Sequence, residues 1–261
     1  MGLWVCGDIH GAHDIGKLNM NCFPAQKNMS KDDFIIILGD FGLIWDYRGE
    51  SKEEKYWLEW LNDKNFTTLF VDGNHEAFSR LNTAYPEIEF HGGHAHQIRE
   101  NVYHLIRGYV FELSNQKCFI MGGAQSHDIQ DGIIDPANWK DGICDAGFKK
   151  TVSRLNKERK LFRIKGTEWW PEEMPSTEEL NRGIENLEKS NNKVDFIFTH
   201  CAPTSVISQM GYHDKDNLTE YFNRLSFKIE YKEWHFGHYH KDRKIAPNFY
   251  CHYKNAPWRL A

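Results

Sequence analysis

The chain has 261 residues, 40% of them hydrophobic and 26% charged, enough for one large α/β domain with a sizeable core. A formal net charge of -5 argues against a general nucleic-acid binder, so an anionic ligand must be drawn by local charge or by metal. Six cysteines (Cys6, Cys22, Cys118, Cys144, Cys201, Cys251) form no CxxC pair, no apolar run approaches the roughly 20 residues of a membrane span, and the first strand leaves no room for a signal peptide; the expectation is a reduced, cytoplasmic protein.

LWVC (Leu3 to Cys6) predicts a first strand, ended by the Gly-rich burst GDIHG (Gly7 to Gly11). FIIIL (Phe34 to Leu38) predicts a second strand, closing in LGDFG, and an amphipathic helix around Lys52 to Leu61 would turn Tyr56, Trp57, Trp60 and Leu61 inward. TTLFV (Thr67 to Val71) then runs into DGNHE (Asp72 to Glu76). This βαβ rhythm implies a sheet that starts out parallel. HGGHAH, with His91, His94 and His96, reads as a loop after Glu89 and Phe90 whose histidines cap or hydrogen-bond a turn. Close-set strands at Val102 to Leu105, Tyr109 to Leu113 and Lys117 to Met121, with a hairpin turn at Asn115 and Gln116, predict the start of a second sheet. Residues 124–192 read as an irregular insert in a single domain spanning 1–261, ending in a helix that Ser176 caps with Glu179. Strands Val194 to Thr199 and Tyr231 to Phe236 carry the last two bursts, FTHCAP and FGHYH.

In open α/β sheets, ligands collect outside the carboxyl ends of strands, and five such ends here carry metal-type residues. Asp8 and His10 stand two apart and can share one ion; His238 and His240 repeat that spacing. Asp40, with two carboxylate oxygens, can bridge two ions, while Asn74 offers a neutral oxygen and His200 another imidazole. Oxygen and imidazole donors without thiolates suit Mn, Fe, Zn or Ni, and their number exceeds the needs of one ion. Two ions about 3.5 to 4 Å apart form a clamp for displacement at phosphorus.

The ordered motifs D-x-H, GD, GNHE, TH and GH-x-H resemble the calcineurin-like metallophosphoesterase superfamily over the core from Gly7 to His240. The resemblance implies a four-layer α/β-β/α sandwich of two mixed β-sheets flanked by helices. It also implies that Asp8, His10 and His240 bind one metal, that Asn74, His200 and His238 bind the other, and that Asp40 bridges. His75 would face substrate as the general acid. GDFG, GGAQSHD (Gly122 to Asp128) and WWPEEMPS (Trp169 to Ser176) resemble more closely a bacterial and phage branch of small metallophosphoesterases, which brings no substrate with it. The sequence departs from Ser/Thr phosphatases of the superfamily at their GDxVDRG motif, whose arginine grips phosphate: it reads GDFGLIWD, with Arg48 displaced.

The expected function is a dinuclear phosphoesterase that uses two divalent ions, Mn first, and attack by metal-bound hydroxide. A phosphodiester substrate, small nucleotide or nucleic acid, is favoured by GHYH and by eight lysines and arginines between Lys149 and Lys165. Alternatives are a phosphomonoesterase or Ser/Thr-type protein phosphatase, and a non-catalytic metal-binding scaffold. Ser126, Asp128 and His13 are candidate substrate contacts; Cys201 reads as a small buried residue, and Trp169 and Trp170 as core or as a pocket wall.

Overall fold

The computed structural model describes residues 1–213 and 215–261. Strands β1 (Leu3–Cys6), β2 (Phe34–Leu38), β3 (Thr67–Val71), β4 (Glu87–Phe90), β5 (Gly93–Arg99) and β6 (Val102–Leu105) come first in the chain, followed by β7 (Val110–Leu113) and β8 (Gln116–Met121). Two short strands, β9 (Ile133–Ile134) and β10 (Arg163–Ile164), pair with each other. Then come β11 (Phe196–Thr199), β12 (Glu233–Phe236), β13 (Arg243–Ala246), β14 (Phe249–Cys251) and β15 (Trp258–Arg259). Helices α1 (Lys52–Asn62), α2 (Phe78–Leu81), α3 (Ala146–Lys157), α4 (Thr177–Lys189), α5 (Thr204–Gln209) and α6 (Asn217–Lys228) lie between them.

The first sheet has the order β15-β1-β2-β3-β6-β5-β4 and the second β13-β14-β12-β11-β8-β7. β1, β2, β3 and β6 run parallel in one; β8, β11, β12 and β14 run parallel in the other. FIIIL, TTLFV and FIFT are buried along their whole length, as strands covered on both faces must be. Alternate residues explain the covering. Ile36, Leu38 and Val71 face Ile120, Phe196 and Phe198 of the other sheet, while Ile35, Ile37 and Phe70 turn to Leu58 and Leu61 of α1. On the far side, Ile197, Trp234 and Phe236 pack on Leu187 of α4 and Phe222 of α6. Helices, sheet, sheet and helices make the four layers.

Several local expectations change. HGGHAH is not a loop: His91 and Gly92 form the tight turn of a β4–β5 hairpin, and His94 and His96 lie on β5, with His94 paired to Glu87 across the hairpin at 2.7 Å. β6 belongs to the first sheet, beside β3 and β5, so the second sheet begins only at β7. The β7–β8 turn is Ser114 and Asn115, both with positive φ (51° and 59°), and Gln116 already pairs with Leu113. Tyr56 is 61% exposed, because it lies about 200° around the helix from buried Leu58. α1 starts at a capping box in which Ser51 Oγ accepts from Glu54 N and Glu54 accepts from Ser51 N. Residues 124–192 hold β9, α3, β10 and α4, and α4 starts at the Ser176–Glu179 capping box.

Candidate metal centre

β1, β2 and β3 end at the same edge of the first sheet, and β8, β11 and β12 at the adjoining edge of the second. The loops that follow bring Asp8, His10, Asp40, Asn74, His200, His238 and His240 together. Potential donors fall into two groups: Asp8, His10, Asp40 and His240 in one, Asp40, His200 and His238 in the other. Asp40 is common to both, and its two oxygens divide between them. Oδ2 is 3.4 Å from His10 Nε2 and Oδ1 is 3.2 Å from His200 Nε2. His240 Nε2 lies 3.4 Å from Asp8 Oδ2 and 3.3 Å from His10 Nε2, and Asn74 Oδ1 lies 3.3 Å from His200 Nε2. These separations match donors sharing an ion, since bonds near 2.1 Å place neighbouring donors about 3.0 to 3.4 Å apart.

The surrounding hydrogen bonds aim lone pairs inward. His200 Nδ1 donates to the Leu38 carbonyl at 2.7 Å, leaving Nε2 to face Asp40 and Asn74. His10 Nδ1 donates to Asp14 at 3.0 Å, leaving its Nε2 to face Asp40 and His240. Asn74 Nδ2 donates to Ser126 Oγ at 3.3 Å, which turns the amide oxygen toward His200. Such outer partners fix tautomer and orientation in metal sites. Asp8 and Asp40 are 0% and 2% exposed, and their side-chain ionic partners among the described residues are histidines only. Two buried carboxylates without a lysine or arginine call for a cation, so the donor set fits a metal pair.

The electrostatics of the protein alone point the same way. Burial pushes the Asp40 carboxyl up, but the charges of His200 and His75 and hydrogen bonds from His10 and His200 hold it well below the usual carboxylate range. Burial would lower His200, yet Asp40 and Asp8 push it up to about 10. His238 goes down, through burial and the neighbouring charges of His200 and His127. His75 is also lowered, chiefly by burial.

His75 is in neither donor group. Its backbone N–H donates to Asp40 Oδ1 at 3.0 Å, and its ring stands 5.7 Å from that of Trp45 and 6.1 Å from that of His10. It lines a cavity of about 430 Å³ with His10, His13, Trp45 and Arg163. His13 therefore shares a cleft with His75. Ser126 is 5% exposed and its hydroxyl is committed on both sides, accepting from Asn74 and donating to Glu173 at 2.6 Å. Asp128 pairs with Arg163. Cys201 is buried and outside both donor groups; Trp170 is 4% exposed in the core, its ring 6.1 Å from that of Trp45.

Three contributors escaped the sequence reading. His127 Nε2 lies 2.7 Å from His238 Nε2; this is a hydrogen-bond length, shorter than the 3.2 to 3.4 Å between the donors. The strand-end rule could have found it, because GGAQSHD follows β8, parallel to β11. Arg163 arrives from 35 residues beyond its partner Asp128, and no local pattern announces it. Asp72 of DGNHE is held by Arg107 (2.5 Å) and by His104 Nε2 (3.0 Å), and its carbonyl accepts from Gly123 N, tying the GNHE loop to the GGA loop.

Residues 1–242 match the calcineurin-like phosphoesterase family, and the chain belongs to it. Its members are metal-dependent hydrolases of phosphate esters, generally with a dinuclear metal centre. Comparison with curated proteins finds no significant match. Among the described residues no helix is long and apolar enough to cross a membrane.

Proposed function

We propose that the protein is a phosphodiesterase acting on a small nucleotide or nucleic acid. In this reading Asp8, His10 and His240 hold one divalent ion, Asn74, His200 and His238 the other, and Asp40 bridges them, with Mn the expected metal. Ions bound there would acidify a water and neutralise the attacking and leaving oxygens of an in-line displacement. His75, close to the donors but outside them, would give its proton to the departing oxygen. Asp40 Oδ1, which accepts from both Asn74 N and His75 N at 3.0 Å, sets the spacing between His75 and the donors. His13 would meet the substrate from the cleft side, and Asp128 would act on it through its partner Arg163.

The observation that carries the diester reading is that the donors have room on two sides. The cleft of about 430 Å³ opens beside His10 and His75, and a second cavity of about 650 Å³ lies beyond Ser126 and His127, the hydrogen-bond partners of Asn74 and His238. A diester has two substituents to accommodate and a monoester one. The test is hydrolysis of bis-p-nitrophenyl phosphate against p-nitrophenyl phosphate, with Mn and with chelator, for wild type and His75→Ala. The expectation is Mn-dependent diester turnover that falls by about 10²- to 10⁴-fold in the variant, with both metals retained. Activity confined to the monoester would favour a phosphatase, and two bound metals without turnover a scaffold.

A further inference from the structure

The phosphatase-type arginine absent from GDFGLIWD leaves open what grips the phosphate. Arg48 cannot reach it: its side chain is 73% exposed and its fork is locked onto Asp46 at 3.0 and 2.9 Å. Lys17 is equally committed, its ammonium donating to the carbonyls of Gly7, Asp8 and Tyr253. Among the described residues lining the cleft beside His75 and His10, Arg163 is the single lysine or arginine. Its side chain is 20% exposed. Nε (2.9 Å) and Nη2 both donate to one oxygen, Asp128 Oδ2, while Nη1 has no protein partner among the described residues and is not among the buried, unpaired atoms. One face of the fork is thus fixed and the other is left for a ligand.

We propose that Arg163 is the arginine that binds the substrate phosphate, and that Asp128 positions it and trims its charge so that the cleft prefers a monoanion. This rests on the phosphodiesterase reading and narrows it. A diester phosphate carries one negative charge, a monoester up to two. A free arginine beside two divalent ions would reward the second charge, whereas an Arg–Asp pair contributes a directed donor with little net charge. The strand that delivers Arg163, β10, pairs among the described residues only with β9, which follows Asp128 five residues on, so both members of the pair sit on the same irregular segment. Neither is tied to the metal donors by a hydrogen bond among the described residues. The pair can therefore be altered without dismantling the donor groups.

The test uses Mn-loaded enzyme with R163A and D128N, and reads metal content, melting temperature, KM and kcat for bis-p-nitrophenyl phosphate, and calorimetric affinity for inorganic phosphate and for dimethyl phosphate. R163A is expected to keep both ions, to weaken phosphate binding and to raise KM by about 10- to 100-fold, the loss of charge-assisted donors, with a smaller change in kcat. Wild-type phosphate affinity in R163A would overturn the assignment; if R163A loses its fold, R163Q is read in its place with the same two outcomes. D128N is expected to raise the ratio of inorganic-phosphate to dimethyl-phosphate affinity by about tenfold, the worth of one unmasked charge at short range. An unchanged ratio would refute the charge-trimming role. If wild type hydrolysed neither ester, the phosphodiesterase reading would fall, yet phosphate binding in wild type against R163A would still decide the role of Arg163.

Discussion

Gly237 separates Phe236, the last residue of β12, from the metal-donor candidate His238, and Gly237→Ala tests whether the two sheets hold the donors as closely as their edges suggest. A Cβ at this position would fall 2.0 Å from Asp8 Oδ1 and 2.7 Å from the Leu38 carbonyl. Carbon and oxygen normally keep about 3.3 Å apart, so the Asp8 carboxylate would have to retreat by more than about 1 Å. Its exits are closed: both oxygens accept from His238 N at 3.1 Å, and the side chain is 0% exposed. Gly237 has no positive φ, so backbone strain does not enter and the effect is that of a methyl group driven into a packed site. Overpacking of this kind costs about 1 to 3 kcal/mol, which for a chain of this size is about 3 to 10 °C in melting temperature. The displaced carboxylate should also weaken the ion that Asp8, His10 and His240 are proposed to share by at least about tenfold, the worth of 1.4 kcal/mol. Metal titration and thermal melts of the Mn-loaded protein measure both. Gly16→Ala is the control, since its Cβ would meet nothing nearer than Asn19 Nδ2 at 3.9 Å. A Gly237→Ala protein with two ions at wild-type affinity and an unchanged melting temperature would refute the reasoning.

Asp72→Asn should cost about 3 to 5 kcal/mol in urea unfolding, because it leaves buried Arg107 without its carboxylate; a loss below 1 kcal/mol would mean Glu179, 3.4 Å from Arg107, suffices as counter-ion. His96 is pushed down to about 4 by burial and by the charge of His104, so the folded state holds it neutral. Its contribution is fully present above the unfolded value of 6.5 and is lost as pH falls toward 4, up to about 3 kcal/mol. Unfolding free energies measured across that window should flatten in His96→Gln, and an identical slope in the variant would exclude His96. His127→Ala should lower affinity for the ion proposed at His238 by about 10- to 100-fold, as loss of an orienting partner does, while the other ion keeps its affinity. Equal loss of both ions, seen by metal titration, would show that His127 acts on the fold instead.

How much of this was legible follows from what each residue answers to. β1, β2, β3 and β11 could be read because each is a short apolar run stopped by glycine or a polar turn, and local burial decides such runs. The candidate donors that the structure brings together follow those strands and β12 directly, which is what made them stand out in the sequence. β4 and β5 could not: HGGHAH looks like a turn, but its apolar partners are supplied by β6 and by Phe111, whose ring lies so close that a Cβ on Gly93 would stand 2.7 Å from it. Arg163 was hidden for a similar reason, since its meaning depends on Asp128 and on a cleft formed by loops far away in the chain.

Backbone conformation at the donors adds a step that residue identity alone does not contain. His10, Asp40, His238 and His240 have φ of 43°, 44°, 65° and 50°. This left-handed region costs an L-residue about 1 to 2 kcal/mol and is usually left to glycine or asparagine. Four donors in it, from three different loops, mean that the side chain was worth more at each position than a relaxed backbone. The loops are laced to one another to hold that strain: His10 N donates to the Asp40 carbonyl at 2.8 Å, Gly11 N to Phe41 O at 2.9 Å, and Gly237 N to His200 O at 2.9 Å. Phe41 N donates in turn to the buried carboxylate of Glu76 at 2.7 Å. The candidate donors are therefore positioned by hydrogen bonds between strand ends. An ordinary loop would relax by exchanging these histidines and aspartates for glycine; a site that must present lone pairs to a common point has no such freedom.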